Sequence, residues 1–190
     1  MKIRLVLLMF WFSLASFSQS AEKLYQQGKA LYDAKDYAGA VVKLKIAAEK
    51  GHRKAQYRLG YCLDKGKGVT EDDAAAFSWY SKAAAQNHAK AQYQLGRCYK
   101  KGEGTKVNLE KAVLYFTKSA RQDNADAQYA LAKCYLKGQG VAKDIAKAKS
   151  WLKKSIGNEK GGDDILKKLQ KEAKEGDTEA KEILSLIGRK

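Results

Sequence analysis

The chain has 190 residues, 45% of them apolar and 31% charged, with no proline and a formal net charge of +16. That length suits one domain or one short repeat array and can bury a sizeable core. The missing proline excludes collagen-like, mucin-like and proline-rich linker organisation, and the ordinary apolar fraction excludes a disordered polycation.

The first segment reads as an address. Met1 to Arg4 carry two positive charges, Leu5 to Phe12 run without a polar side chain, and Ser13 to Ser20 turn small and polar. This is the order of a secretory signal peptide over residues 1–20, with small residues placed for cleavage after Ser18 or Ser20. The apolar run is shorter than the roughly 20 residues a membrane-spanning helix needs. Cleavage would remove Lys2 and Arg4 from the 37 basic residues and leave a net charge of +14. An exported protein, periplasmic or secreted, is the expectation.

Residues 21–52 form a first helix pair. Tyr25-x-x-Gly28 stands 32 residues before Tyr57-x-x-Gly60, and Asp36-Tyr37-x-x-Ala40 marks the turn into the second helix. From residue 53 a strict 36-residue repeat takes over, in three copies: 53–88, 89–124 and 125–160. Ala55-Gln56-Tyr57 recurs as Ala91-Gln92-Tyr93 and Ala127-Gln128-Tyr129. The same step links Cys62, Cys98 and Cys134, the pairs Gly66/Gly68, Gly102/Gly104 and Gly138/Gly140, and the positions Trp79, Tyr115 and Trp151. Each copy predicts two helices. In helix A, Ala55, Leu59, Cys62 and Leu63 fall on one face of a 3.6-residue period. The Gly-x-Gly pair ends it. Asp72, Asn108 or Asp144 then stands at the N-cap of helix B, whose buried stripe is Ala76, Trp79, Tyr80, Ala83 and Ala84. Asn87, or Asp123-Asn124, turns the chain into the next copy. Gly157, Gly161 and Gly162 interrupt the pattern, and residues 161–190 read as polar helices capping the array.

Ala-Gln-Tyr-x-Leu-Gly, then Gly-x-Gly, a polar cap, and Ala-x-x-(Trp/Tyr)-(Tyr/Phe)-x-Lys-(Ala/Ser)-Ala resembles the Sel1-like repeat, a relative of the tetratricopeptide repeat. Residues 21–52 look like a plain tetratricopeptide repeat. Departures are Ala132 for the helix-A glycine, Thr105 for a valine and Ile156 for the helix-B alanine. The resemblance implies an all-α fold, a right-handed α-solenoid of stacked antiparallel helix pairs that serves as an adaptor or scaffold. It also implies that helix A lines a concave groove. The groove positions are then Tyr25, Lys29 and Tyr32; Lys54, Tyr57, Arg58, Tyr61 and Lys65; Lys90, Tyr93, Gln94, Arg97 and Lys101; and Tyr129, Lys133 and Lys137. Tyrosines with cations one turn away suit an acidic protein segment or peptide as partner. The bland alternative is that the tyrosines pack between helices and the lysines are solvated.

Other constellations point away from chemistry. Equivalent positions in stacked pairs lie about 10 Å apart, beyond disulfide reach, so the three cysteines read as buried free thiols. His52 and His88 sit in turns without ligand-spaced partners and read as solvated turn residues rather than metal ligands. No copy of Gly-x-Gly extends to a dinucleotide fingerprint, and no nucleophile motif is present. The expectation is a protein that is not an enzyme, with no cofactor and no metal. Specific nucleic-acid binding is disfavoured because arginine is scarce, 6 against 31 lysines, and the bidentate fork is what reads bases and phosphates. No membrane-spanning segment is expected after cleavage. The alternative function is electrostatic attachment to an anionic surface: membrane lipid, cell-wall polymer or acidic glycan.

Overall fold

The structure, a computed structural model, describes residues 20–159 and 161–188. Residues 1–19 of the expected signal peptide lie outside the described residues. Every regular element among those described is helical, and the chain divides after His88 into two compact units. The first holds α1 (residues 20–33), α2 (Tyr37–Glu49), α3 (Arg53–Asp64) and α4 (Asp73–Ala85). The second holds α5 (Ala89–Lys101), α6 (Leu109–Ala120), α7 (Ala125–Lys137), α8 (Ile145–Ile156), α9 (Gly162–Lys174) and α10 (Thr178–Leu186). Consecutive helices pair as A and B, the architecture of an α-solenoid built from antiparallel helix pairs. No described helix is long and apolar enough to cross a membrane.

The helix starts follow from their cap residues. Asp72, Asn108 and Asp144 each accept the backbone N–H three residues on, at 2.8, 2.7 and 2.9 Å, satisfying one of the free donors at a helix start. Asp36 and Asn124 do the same for α2 and α7. The turns between copies use left-handed backbone at one register: Gly51, Asn87 and Asp123 have φ of 82°, 62° and 56°. Asparagine and aspartate tolerate that region better than other side chains.

The second glycine of the Gly-x-Gly turn makes a close approach as well as a turn. A Cβ on Gly68 would stand 2.2 Å from the carbonyl carbon of Tyr37, and one on Gly140 would stand 2.2 Å from the Leu109 oxygen. Each loop therefore rests its backbone directly on the first residue of the preceding helix B.

Within a pair, the helix-A glycine admits a large helix-B side chain. A Cβ on Gly60 would meet the Tyr80 ring at 2.9 Å, and one on Gly96 would meet Phe116 at 2.6 Å. Tyr80 and Phe116 are each 1% exposed. At the third copy Ala132 replaces the glycine and Leu152 replaces the aromatic ring, both buried in one cluster. The extra methyl on helix A thus coincides with a smaller side chain on helix B. Cys62, Cys98 and Cys134 are all buried and outside any disulfide, and burial pushes the Cys62 thiol up to about 11.

The motif glutamine closes each copy. Gln56, Gln92 and Gln128 are buried, and their side-chain oxygens accept from Gln86, Gln122 and Asn158 at 2.8, 2.6 and 3.2 Å. Gln56 and Gln128 also donate to the carbonyls of Ala48 and Ala120. A buried amide left without these partners would cost about 1–3 kcal/mol, so this clasp fixes where helix B ends against helix A.

Candidate functional site

Each unit presents its own helix-A face. In the first unit, Tyr25 is buried and stacks on His52 with ring centroids 4.5 Å apart. His52 is no solvated turn residue: Nδ1 accepts from the Ala55 N–H at 3.1 Å and caps α3, while Nε2 meets Glu22 at 2.7 Å. The repeat-equivalent His88 stacks on Tyr57 at 4.8 Å, and Tyr57 also leans on Tyr80. These two tyrosines are joints between helices first, and Tyr25 offers no open ring. Lys29 pairs with Asp33 at 2.9 Å and Lys65 with Asp64 at 3.3 Å.

The remaining positions of this face converge on one loop lysine. Lys67, the middle residue of the first Gly-x-Gly, places its ammonium 5.5, 5.2 and 5.6 Å from the rings of Tyr32, Tyr37 and Tyr61. It also donates to the Tyr32 hydroxyl at 3.2 Å, which with the surrounding rings raises its pKa. Arg58 lies over the Tyr32 ring at 4.8 Å. The face is thus basic and aromatic, with its cations seated on ring faces.

In the second unit Tyr93 packs against Phe116 and belongs to the partly buried rim of the core. Burial, followed by nearby Asp126, raises its hydroxyl pKa. Arg97 and Lys101, one helical turn apart, bracket Glu103, the middle residue of the second Gly-x-Gly. The distances are 3.9 and 3.0 Å, and Arg97 donates to Gln94 at 2.8 Å. Lys133 and Lys137 occupy the same register one copy later and bracket Glu179 of α10. Lys137 donates to Oε2 at 2.7 Å, while Lys133 forms a close ion pair with Oε1 at 2.6 Å that lacks hydrogen-bond geometry. Burial pushes the Glu179 carboxyl up, the two lysines outweigh it, and its pKa lies below the usual glutamate value. Lys133 also sits over the Tyr129 ring at 5.6 Å. Lys54 and Lys90 are exposed.

Lys67, Glu103, Tyr37 and Glu179 escape a reading by helix-A register alone. The first two share the middle position of the glycine turn, so the repeat itself held the signal. Helix B carries a second pattern that spacing had marked without meaning: Lys82, Lys118 and Lys154 lie over Trp79, Tyr115 and Trp151 at 4.0, 5.4 and 4.8 Å. An open cleft of about 820 Å³ in the second unit is bordered by Trp151, Lys154, Arg121 and Asn158. Among the described residues no group of three or more histidine, cysteine or carboxylate side chains could hold a metal.

The Sel1 repeat family matches residues 53–88, 89–124 and 125–157. The chain is similar to a Sel1 repeat protein from Oxalobacter formigenes, at 30% identity and a TM-score of 0.67, over 82% of this chain and 72% of that one. It is also similar to a protective antigen present in uropathogenic Escherichia coli strains that displays an SLR fold, at 28% identity and a TM-score of 0.73. That likeness covers 93% of this chain, which spans only 39% of the antigen's length. No curated protein matches the chain. The matched copies begin at residues 53, 89 and 125, the same 36-residue step that sets the caps, glycine turns and glutamine clasps. The chain belongs to the Sel1 repeat family.

Proposed function

We propose that this protein is an exported, non-catalytic scaffold that captures acidic segments of protein partners on its helix-A faces. Family membership supports protein–protein interaction as the general role. The observation that carries the acidic preference is the repeated cation pair. Arg97/Lys101 and Lys133/Lys137 stand at one register in successive copies, and each brackets a single carboxylate. These intramolecular pairs support a preference for carboxylates on this face. The charged start and apolar run of residues 1–12, followed by small polar residues, support export.

Partner capture from envelope extract tests the face. Arg97→Ala/Lys101→Ala is expected to lose partners that wild type retains. A control of equal charge loss on helix B, Lys149→Ala/Lys153→Ala, is expected to keep them. Equal recovery by all three proteins refutes the helix-A reading, and equal loss from both variants assigns binding to net charge. Export is checked separately by sequencing the mature amino terminus. The expected first residue is Gln19 or Ala21, and a mature chain that begins at Met1 refutes cleavage.

A further inference from the structure

We infer that the helix-A face of α7 is a docking site for the acidic first turn of a partner's helix, and that in the free protein α10 fills it as an internal ligand. This rests on the scaffold reading and names the partner's chemistry for one of its faces.

Three observations converge. First, Glu179 is a detached element's carboxylate inserted between two cations of the repeat. In the preceding copy the equivalent pair takes Glu103 from its own adjoining loop, so the pair binds carboxylates regardless of where in the chain they come from. Second, α10 approaches with its N-terminal end. Asp177 caps it through the Ala180 N–H at 2.9 Å, Glu179 lies in its first turn, and Ile183 one turn later is fully buried beside Ala180. Carboxylates are favoured in the first turn of any helix because they face the positive end of its dipole. A partner helix with a carboxylate in its first turn and a branched apolar side chain four residues on would present the same two anchors. Charge complementarity at the site is the pairing of Glu179 with Lys133 and Lys137.

Third, the α9–α10 pair is joined to α8 through a glycine connection. Gly157 ends α8, and Gly161 adopts a φ of 152° before α9, which starts without a side-chain cap bond. The B helices α2, α4, α6 and α8 each start on a capped Asp or Asn. The connection into the terminal pair is therefore built on glycine at α9, while α10, like the other B helices, keeps a side-chain cap, Asp177.

The test uses the full chain and a fluorescent synthetic peptide of residues 175–188. Glu179→Lys places a third cation between Lys133 and Lys137 and should expel α10. The peptide is then expected to bind this variant at least tenfold more tightly than wild type. Amide exchange across α10 should quicken by a similar factor. Binding should vanish for a peptide carrying Gln in place of Glu179. The charge-reversed variant Lys133→Glu/Lys137→Glu/Glu179→Lys should close again, restoring slow exchange and excluding the peptide. Equal peptide binding to wild type and Glu179→Lys, or none to a variant that keeps its helical circular dichroism, overturns the inference. Should Glu179→Lys not fold, Glu179→Gln is read by the same criteria, with a smaller expected gain. Partner capture that depends on Arg97 and Lys101 but not on Glu179 would overturn this inference alone and leave the scaffold reading standing.

Discussion

Alanine at Gly140 is expected to destabilise the second unit by on the order of 4 kcal/mol, combining left-handed backbone strain with a steric clash. The residue has a φ of 69°, and its added Cβ would lie 2.2 Å from the Leu109 carbonyl oxygen. That oxygen belongs to the first residue of α6 and cannot rotate aside as a side chain could. Gly138 provides the internal comparison. It has nearly the same φ, 68°, but its added Cβ would meet nothing closer than 3.5 Å. Gly138→Ala should therefore cost only the backbone term, about 1 kcal/mol. Urea unfolding of both variants measures the difference, and equal midpoints would show that the close approach carries no energy.

Phe116→Ala should cost about 4 kcal/mol, the usual range for emptying a buried aromatic site. The ring is 1% exposed and fills the space over Gly96. The more telling measurement is a cycle built from the third copy, where alanine faces leucine. Gly96→Ala alone crowds the ring and should cost about 1–3 kcal/mol. Phe116→Leu alone opens a small void. Together they reproduce the Ala132/Leu152 combination, so the double variant should be more stable than the sum of the single effects by about 1 kcal/mol or more. Simple additivity would mean that the two sites do not share their space.

Much of the architecture was legible in the sequence because its determinants are local. Asp72, Asn108 and Asp144 cap the helices three residues ahead, and Gly66, Gly102 and Gly138 turn within their own loops. Both need only short-range hydrogen bonds and dihedral preferences. The roles of the histidines were harder to read, since His52 works through Tyr25 and Glu22, neither of which is near it in sequence. Tyr25, Tyr57 and Tyr93 lie on the helix-A stripe that the repeat resemblance assigns to a groove, and in the structure they meet neighbouring aromatic side chains. Periodicity cannot separate those two duties. The Glu179 contact lies 42 residues from Lys137, off the 36-residue step, so nothing in the repeat announces it. The Ala132/Leu152 exchange was visible as a departure, yet its compensation appears only when both side chains are seen to share one cluster.

The glutamine clasps bear on how such a chain can change in length. Each joins residues 30 apart, Gln56 to Gln86, Gln92 to Gln122 and Gln128 to Asn158, so both ends of every clasp lie inside a single copy. The loop each one closes has the same length, and its entropic cost depends on that length alone. Gaining or losing a whole copy therefore leaves the 30-residue closure of every other clasp unaltered, while the bonds from Gln56 to Ala48 and Gln128 to Ala120 need an equivalent carbonyl in whichever copy precedes. An insertion of a few residues within a copy, by contrast, falls inside a closed ring. Copy number can vary without altering the ring that each clasp closes, and the first pair, set at 32 residues, escapes the constraint because Leu24 stands where the clasp glutamine would be.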